Sequence, residues 1–184
     1  MTADGSRAND GRAARIVYYG PGLSGKTTNL LRLAALVGDP AEVTVVETAS
    51  PEDRCEFLPL SWPRRRRLHL VAVPGRLPRA GDRRRLLRGA DGVIFVADGR
   101  DARQDANLVL LDELGAHLAA VGIPPATCPL VLQYNHRDLP DAVPAEHMDR
   151  LLNGRGWPVV AACAAAGDGV VETLEALLAR MPPS

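Results

Sequence analysis

The sequence is short of several features that would assign a protein to a particular class. Its three cysteines are widely separated and odd in number, which indicates reduced thiols rather than a disulfide framework or a zinc site. No apolar run reaches the roughly 18 residues of a membrane helix, and the N-terminus lacks the apolar core of a secretory signal. Neither a myristoylation nor a prenylation motif is present, so we expect no covalent lipid anchor. With 22 basic and 22 acidic side chains, the chain is not generally cationic, and we expect a soluble cytoplasmic domain that binds no specific nucleic acid.

Lysine is almost missing, because 21 of the basic residues are arginines and the remaining one is Lys26. A coding bias toward arginine explains the rarity of lysine but not the position of this one. It lies in Gly20-Pro21-Gly22-Leu23-Ser24-Gly25-Lys26-Thr27, which matches the phosphate-loop pattern G-x-x-x-x-G-K-[ST]. Glycines allow successive backbone N–H groups to face one anion, Lys26 can reach the β- and γ-phosphates, and Thr27 can offer its hydroxyl to Mg²⁺. The plainer alternative is a glycine turn that only joins a strand to a helix.

The hydrophobic pattern alternates strands and helices along most of the chain. Residues 1–14 read as a flexible arm, and residues 43–47 as either a short strand or a loop. Alternation of this kind predicts an α/β domain over residues 15–181, with a mostly parallel six-stranded sheet, one antiparallel edge strand and helices on both faces. The predicted strands are 15–19, 55–60, 67–73, 92–98, 129–134 and 158–163, and the predicted helices are 26–36, 82–89, 103–121, 144–152 and 169–180.

A second motif follows the apolar strand that ends near Tyr134. In Asn135-His136-Arg137-Asp138, the carboxylate of Asp138 can accept hydrogen bonds from both the N1–H and the 2-amino group of guanine, whereas adenine has no such donor pair. Asn135 would join this loop to the phosphate loop, and the imidazole of His136 would stack on the base in place of the usual lysine. The alternative is an ordinary polar turn after a strand.

Several segments together resemble one family, the MglA-type bacterial Ras-like G proteins of gliding motility and cell polarity. They are IVYYGPGLSGKTTNL, FLPL, VPGR, DGVIFVAD, NHRDLP and GDGVVETL, within about residues 15–181. The resemblance implies a Ras-like P-loop G domain, GTP or GDP and Mg²⁺ as ligands, and a roadblock/LC7-domain protein as a partner that stimulates hydrolysis. By matching position it assigns phosphates and metal to Lys26, Thr27 and Thr28, the base to Asn135 and Asp138, and the last guanine loop to Ala162-Cys163.

The chain departs from this family where GTP hydrolysis is controlled. Gly75 keeps the backbone N–H that senses the γ-phosphate, but Arg76 occupies the place of the glutamine that orients the attacking water. A guanidinium has donors only and cannot accept a hydrogen bond from that water. Arg76 either faces solvent or supplies positive charge to the γ-phosphate itself. Ala72 stands where most G proteins have an aspartate near the metal, and these changes predict slow hydrolysis.

The first switch also differs from the family. An ungapped match through FLPL places Pro51 and Glu52 at the positions of the family's arginine finger and of its switch threonine. If the loop is shifted, Thr48 could supply a metal ligand or Arg54 the arginine. A missing arginine finger alone costs roughly 10³- to 10⁵-fold in rate.

Two further features remain open at the level of sequence. Ten arginines fall between residues 64 and 88, and they indicate either a basic face for an acidic partner or a solvated surface in an arginine-rich chain. Asp98, at the end of the strand 92–98, is interpreted as a turn or cap residue.

The motifs therefore favour a guanine-nucleotide switch with slow GTP hydrolysis. A pseudo-GTPase that serves as an interaction module is the alternative. A P-loop ATPase or kinase has less support, because the chain offers no lid-like insertion and its base-recognition motif suits guanine.

Overall fold

The computed structural model describes residues 12–37, 43–47, 54–63, 66–74 and 80–182. Their strands are β1 Ala14–Tyr19, β2 Thr44–Glu47, β3 Arg54–Trp62, β4 Arg66–Ala72, β5 Gly92–Asp98, β6 Leu130–Asn135 and β7 Val159–Ala161. Their helices are α1 Lys26–Val37, α2 Ala80–Leu87, α3 Gln104–Ala120, α4 Ala145–Leu152 and α5 Val170–Leu178, with a 3₁₀ turn at Asp101–Arg103 before α3. Within these ranges, none of the helices combines the length and the apolar character needed to cross a bilayer.

The strands form one sheet in the order β2-β3-β4-β1-β5-β6-β7. Strand β3 is antiparallel to both of its neighbours, and the pairs from β4 to β7 are parallel. The mostly parallel Ras-like α/β fold with one antiparallel strand is therefore confirmed. The sequence-based count of six strands was one too low, because Thr44–Glu47 pairs with β3 as a seventh strand and leaves the antiparallel strand second from the edge. The sequence pattern of residues 43–47 was compatible with either a short strand or a loop.

The central strands are buried on both faces, which explains their continuous apolar sequences. In β1, Ile16 and Tyr18 pack into the cluster that includes Leu30 and Leu33 of α1. Val17 and Tyr19 alternate with them and pack into the opposite cluster, because successive side chains of a strand point to opposite faces. Helices α1 and α5 cover one face of the sheet, and α2, α3 and α4 cover the other.

The carboxyl end of β1 lies at the point where the direction of chain crossover changes. Strand β1 has β4 on one side and β5 on the other, and both pairs are parallel. In open α/β sheets, a crevice forms at such a point beyond the carboxyl ends of the strands, and ligands bind there. The loop from Gly20 to Gly25 and the loop after β6 both begin at this edge.

Candidate functional site

The phosphate-loop motif forms the turn between β1 and the first residue of α1, as its pattern requires. Gly20 has a φ of 141°, and a Cβ atom there would lie 2.2 Å from the backbone oxygen of Val96. Gly25 has a φ of 96°, and a Cβ atom there would lie 2.1 Å from Nδ2 of Asn135. Both positions therefore need glycine for conformation and for space. The turn lies against β5 on one side and the loop after β6 on the other.

Lys26 points back into this turn. Its Nζ donates to the backbone oxygens of Gly20 at 2.9 Å and of Pro21 at 2.6 Å, and the residue is 6% exposed. Burial lowers the pKa of Lys26 to about 8, although the nearby carboxylate of Glu56 acts to raise it. The ammonium group is thus still mainly charged at pH 7, with little water around it. A buried cation next to the N-terminus of a helix is a strong attractor for phosphate oxygens.

Asn135, the last residue of β6, joins the phosphate loop to the loop after β7. Its Nδ2 donates to the backbone oxygen of Ser24 at 2.8 Å, and its Oδ1 accepts a hydrogen bond from the N–H of Ala164 at 2.9 Å. The residue is 1% exposed. The loop after β6, the phosphate loop and the loop after β7 are therefore held in fixed positions relative to one another.

His136 also contacts the phosphate loop. It adopts a φ of 62°, and its Nε2 lies 3.0 Å from the backbone oxygen of Leu23. Because a carbonyl oxygen can only accept, Nε2 must carry the proton. The sequence suggested a stacking role for this ring, and the structure gives it a bond to the phosphate loop. Leu23, at the tip of the loop, is 73% exposed.

Asp138 and Cys163 lie at the contact between the loops after β6 and β7. Asp138 is exposed, and a hydrogen bond with the Cys163 thiol, followed by its backbone hydrogen bond, lowers the pKa of its carboxyl group. The carboxyl group is therefore ionised at neutral pH and acts only as an acceptor. Two backbone hydrogen bonds hold Ala162 in place. Its N–H donates to the backbone oxygen of Tyr134 at 2.8 Å, and its carbonyl accepts from the N–H of Arg137 at 3.1 Å.

A cleft of about 440 Å³ connects the phosphate loop with β3 and β4. Thr27 and Thr28 line it at the start of α1, and Val73 and Pro74 line it after β4. The N–H of Val73 donates to Tyr18 O at 2.9 Å, so the segment after β4 stays close to β1. The structure thus brings the threonines predicted to bind phosphate and metal to the same opening as Val73 and Pro74.

Glu56 is a residue of this cleft that the sequence did not identify. It lines the cleft from β3, and in the register of β3 and β4 it stands directly opposite Ala72. Directly opposed residues of an antiparallel pair project from the same face of the sheet. A carboxylate is therefore present next to the position where Ala72 lacks one. The sequence predicted the strands 55–60 and 67–73, but only their exact pairing identifies the residue.

Several predicted switch residues cannot be placed in this site. Thr48, Pro51, Glu52, Gly75 and Arg76 lie outside the described residues, and Arg54 is described by its backbone in β3 alone. Their proposed roles therefore remain predictions.

The arginines of segment 64–88 have different surroundings in the structure. Arg83 donates to Glu113 of α3 at 2.7 Å, and its side chain is only 14% exposed. Arg84, Arg85 and Arg88 are exposed on or just after α2. Arg64, Arg65, Arg76 and Arg79 lie outside the described residues. We call Arg84, Arg85 and Arg88 the α2 arginines.

Comparison with known proteins supports the same assignment as the geometry. No protein-family model matches the chain. Among curated proteins, the mutual gliding-motility protein MglA of Myxococcus xanthus is 42% identical over 170 residues, which cover 89% of this chain and 87% of that protein. Similarity of this extent, together with the fold and the phosphate loop, settles the family. The chain belongs to the MglA-type family of gliding-motility GTPases, which have a Ras-like fold.

Proposed function

We propose that the protein is a guanine-nucleotide switch that binds GTP and GDP with Mg²⁺ and hydrolyses GTP slowly. The observation that carries this proposal is the contact of Asn135 with both the phosphate loop and the loop after β7. This contact supports the proposal because it links the phosphate-loop motif with the two loops that carry Asp138 and Cys163. A glycine turn with a purely connecting role would need neither the buried Lys26 nor this link.

Base selection is assigned to Asp138. Its carboxylate is ionised at neutral pH, since the hydrogen bond with Cys163 lowers its pKa. It can accept both hydrogen bonds that the Watson–Crick edge of guanine donates, whereas the same edge of adenine presents an acceptor at N1. GTP and GDP should therefore bind far more tightly than ATP.

The metal is assigned to the cleft between α1 and β3. Mg²⁺ prefers oxygen ligands, and the hydroxyl of Thr27 and the carboxylate of Glu56 are oxygen donors that line this cleft. When bound, Mg²⁺ offsets negative charge on the phosphate oxygens. Glu56 would take over the role of the aspartate that Ala72 replaces, so the absence of that aspartate does not by itself remove metal binding.

Hydrolysis is proposed to be slow because the described residues that line the cleft contain no group suited to orient water. Glu56, the one carboxylate among these residues, is assigned to the metal, and Arg76 replaces the usual glutamine in the sequence. The chain can hold the phosphates through Lys26 and the loop amides, and these contacts act on the ground state as well as on the transition state. A pseudo-GTPase with stable binding and no turnover is the second candidate, and Arg76 is the residue that favours it.

A single-turnover phosphate-release assay separates these two candidates. The wild-type chain should release phosphate from bound GTP slowly, and Arg76→Gln should accelerate release by restoring an acceptor for the attacking water. Wild-type release at the rate of an active MglA-type GTPase would refute slow hydrolysis. Stable GTP binding with no release from either protein would favour the pseudo-GTPase.

Partners are proposed on two grounds. The family resemblance points to a roadblock/LC7-domain protein as the activating partner. The α2 arginines follow the segment that senses the γ-phosphate, and their charge suits an acidic surface on a partner. The protein would act in the cytoplasm in regulation of cell polarity or motility.

A further inference from the structure

An arginine on the α3 side of the site binds the outer part of the phosphate loop. Nη2 of Arg103 donates to the backbone oxygen of Gly22 at 2.8 Å, across 81 positions of the sequence. Nε of the same guanidinium lies 3.6 Å from Oδ2 of Asp98. One side chain therefore connects the carboxyl end of β5 with the tip of the phosphate loop.

Asp98 provides a fixed anchor for this arginine. Its side chain is fully buried, and it accepts hydrogen bonds from Nε of Arg100 at 3.0 Å and from Nη2 of Arg100 at 2.6 Å. Burial acts to raise the pKa of Asp98, but the hydrogen bonds from Arg100 outweigh it and leave the pKa below its usual value. The carboxylate is thus charged and held in place, and Arg100 binds it without a hydrogen bond to the phosphate loop.

Gly22 separates two openings, and this decides where the adjacent N–H points. It lines the cleft that contains Lys26 and also a second hollow, next to α3, that contains Arg103. The described residues contain no cis peptide bond, and in a trans peptide the C=O and the following N–H point in opposite directions. Because the carbonyl of Gly22 points toward Arg103, the N–H of Leu23 points away from this second hollow, and Leu23 lines the cleft.

Leu23 needs such support. Its φ of 66° is unfavourable for a residue with a side chain, and conformations of this kind persist when neighbouring contacts hold them. Arg103 holds the peptide before Leu23 and His136 holds the peptide after it. Both peptides that flank this strained residue are therefore fixed from outside the loop.

We propose that Arg103 is a positioning residue that keeps the N–H of Leu23 directed at the bound phosphates and thereby slows nucleotide release. The proposal rests on the function proposed above, namely that the cleft binds guanine nucleotides. It also assigns Asp98 the role of anchor for Arg103. The sequence alone had indicated a turn or cap residue at this position.

The test measures release of fluorescently labelled GDP from the full chain after a chase with excess GDP. Arg103→Ala should release it about tenfold faster, because a hydrogen bond with a charged donor is lost. Arg103→Lys should restore release to within about threefold of wild type, since an ammonium group can still donate to Gly22. The matched control is Arg83→Ala, which removes an arginine that lines the same hollow but bonds Glu113 instead of the phosphate loop, and it should change release less than about twofold.

The outcomes separate this proposal from the proposed function. A release rate in Arg103→Ala equal to that of wild type, or an equal acceleration in Arg83→Ala, would overturn the role of Arg103. Hydrogen exchange of the nucleotide-free chain provides a second readout: segment 20–26 should exchange faster in Arg103→Ala than in wild type and in Arg83→Ala. If wild type binds no labelled GDP, the proposed function fails, while equal exchange in wild type and Arg103→Ala would refute the positioning role in either case.

Discussion

Lys26 brings an ammonium group into a site that removes most of its water. Burial destabilises the charged form and lowers the pKa of Lys26 to about 8. This value lies within the pH range in which binding can be measured. A phosphate ligand restores the charged form by placing negative oxygens next to Nζ. Binding and protonation of this residue are therefore coupled.

The coupling can be measured by calorimetry of GDP binding in two buffers with different heats of ionisation. Lys26 is mainly neutral at pH 8.5 in the free protein and charged in the complex, so binding should take up about 0.8 of a proton at pH 8.5 and under about 0.1 at pH 7. Affinity should accordingly decrease as the pH rises above about 8. The protons that free GDP itself takes up or releases between pH 7 and pH 8.5 are subtracted from the measured uptake. An uptake that does not increase between these two values of pH would contradict the role of Lys26.

Glu56 gives a second test at the level of single residues. Glu56→Gln should weaken Mg²⁺-dependent GDP binding roughly tenfold, as expected for a group that supports a metal site. GDP binding measured in EDTA, without free Mg²⁺, should differ much less between Glu56→Gln and wild type. The double variant Glu56→Ala with Ala72→Asp returns the carboxylate to the opposite strand and should recover most of the Mg²⁺ effect. A Glu56→Gln protein with unaltered Mg²⁺ dependence would remove Glu56 from the metal site.

At the scale of secondary-structure elements, Asn135 links the end of β6 with the phosphate loop and the loop after β7. Asn135→Ala leaves the carbonyl of Ser24 and the N–H of Ala164 buried without this partner, so it should lower the free energy of unfolding by about 1–3 kcal/mol. Urea denaturation measures this change. Asp138→Asn is the control in the same loop: it should leave the unfolding midpoint in place but weaken GDP binding by at least about 100-fold. Equal stability of the Asn135→Ala protein and wild type would show that the link is not a structural one.

Regular elements with a strong hydrophobic pattern were predictable, and pairings between distant segments were not. The apolar sequence of β5 and the glycine motif after β1 specify a buried strand and a phosphate loop because their causes are local. Strand β2 was ambiguous, since its four residues become a strand only by pairing with β3. The same limit applies to Glu56, whose importance depends on its register opposite Ala72.

At the scale of the whole molecule, the charge is balanced but unevenly distributed. The α2 arginines should increase retention on immobilised heparin, because they place three cations on one short surface. Replacement of Arg84, Arg85 and Arg88 by glutamate should lower the salt needed for elution. The matched control replaces three exposed arginines elsewhere by glutamate, namely Arg150, Arg155 and Arg180. Equal elution of the two triple variants would contradict a distinct basic surface on α2.

The candidate site was predictable where a single motif carries the chemistry. Gly20 to Thr27 and Asn135 to Asp138 were recognised from their own spacing, and the fold places them at one edge of the sheet. Arg103 was not recognised, because its contact with Gly22 spans 81 positions and follows from the position of the 3₁₀ turn before α3 next to the phosphate loop. Contacts of this kind depend on tertiary structure and leave no local pattern in the sequence.

The most direct measurement is a calorimetric titration of the wild-type protein with GDP, GTP and ATP at pH 7 in the presence of Mg²⁺. We expect both guanine nucleotides to bind one to one, and ATP to bind at least about 100-fold more weakly, because Asp138 accepts from guanine alone. Binding of ATP as tight as that of GTP would contradict the base selectivity. The absence of heat with either guanine nucleotide at millimolar concentration would contradict the proposed switch as a whole.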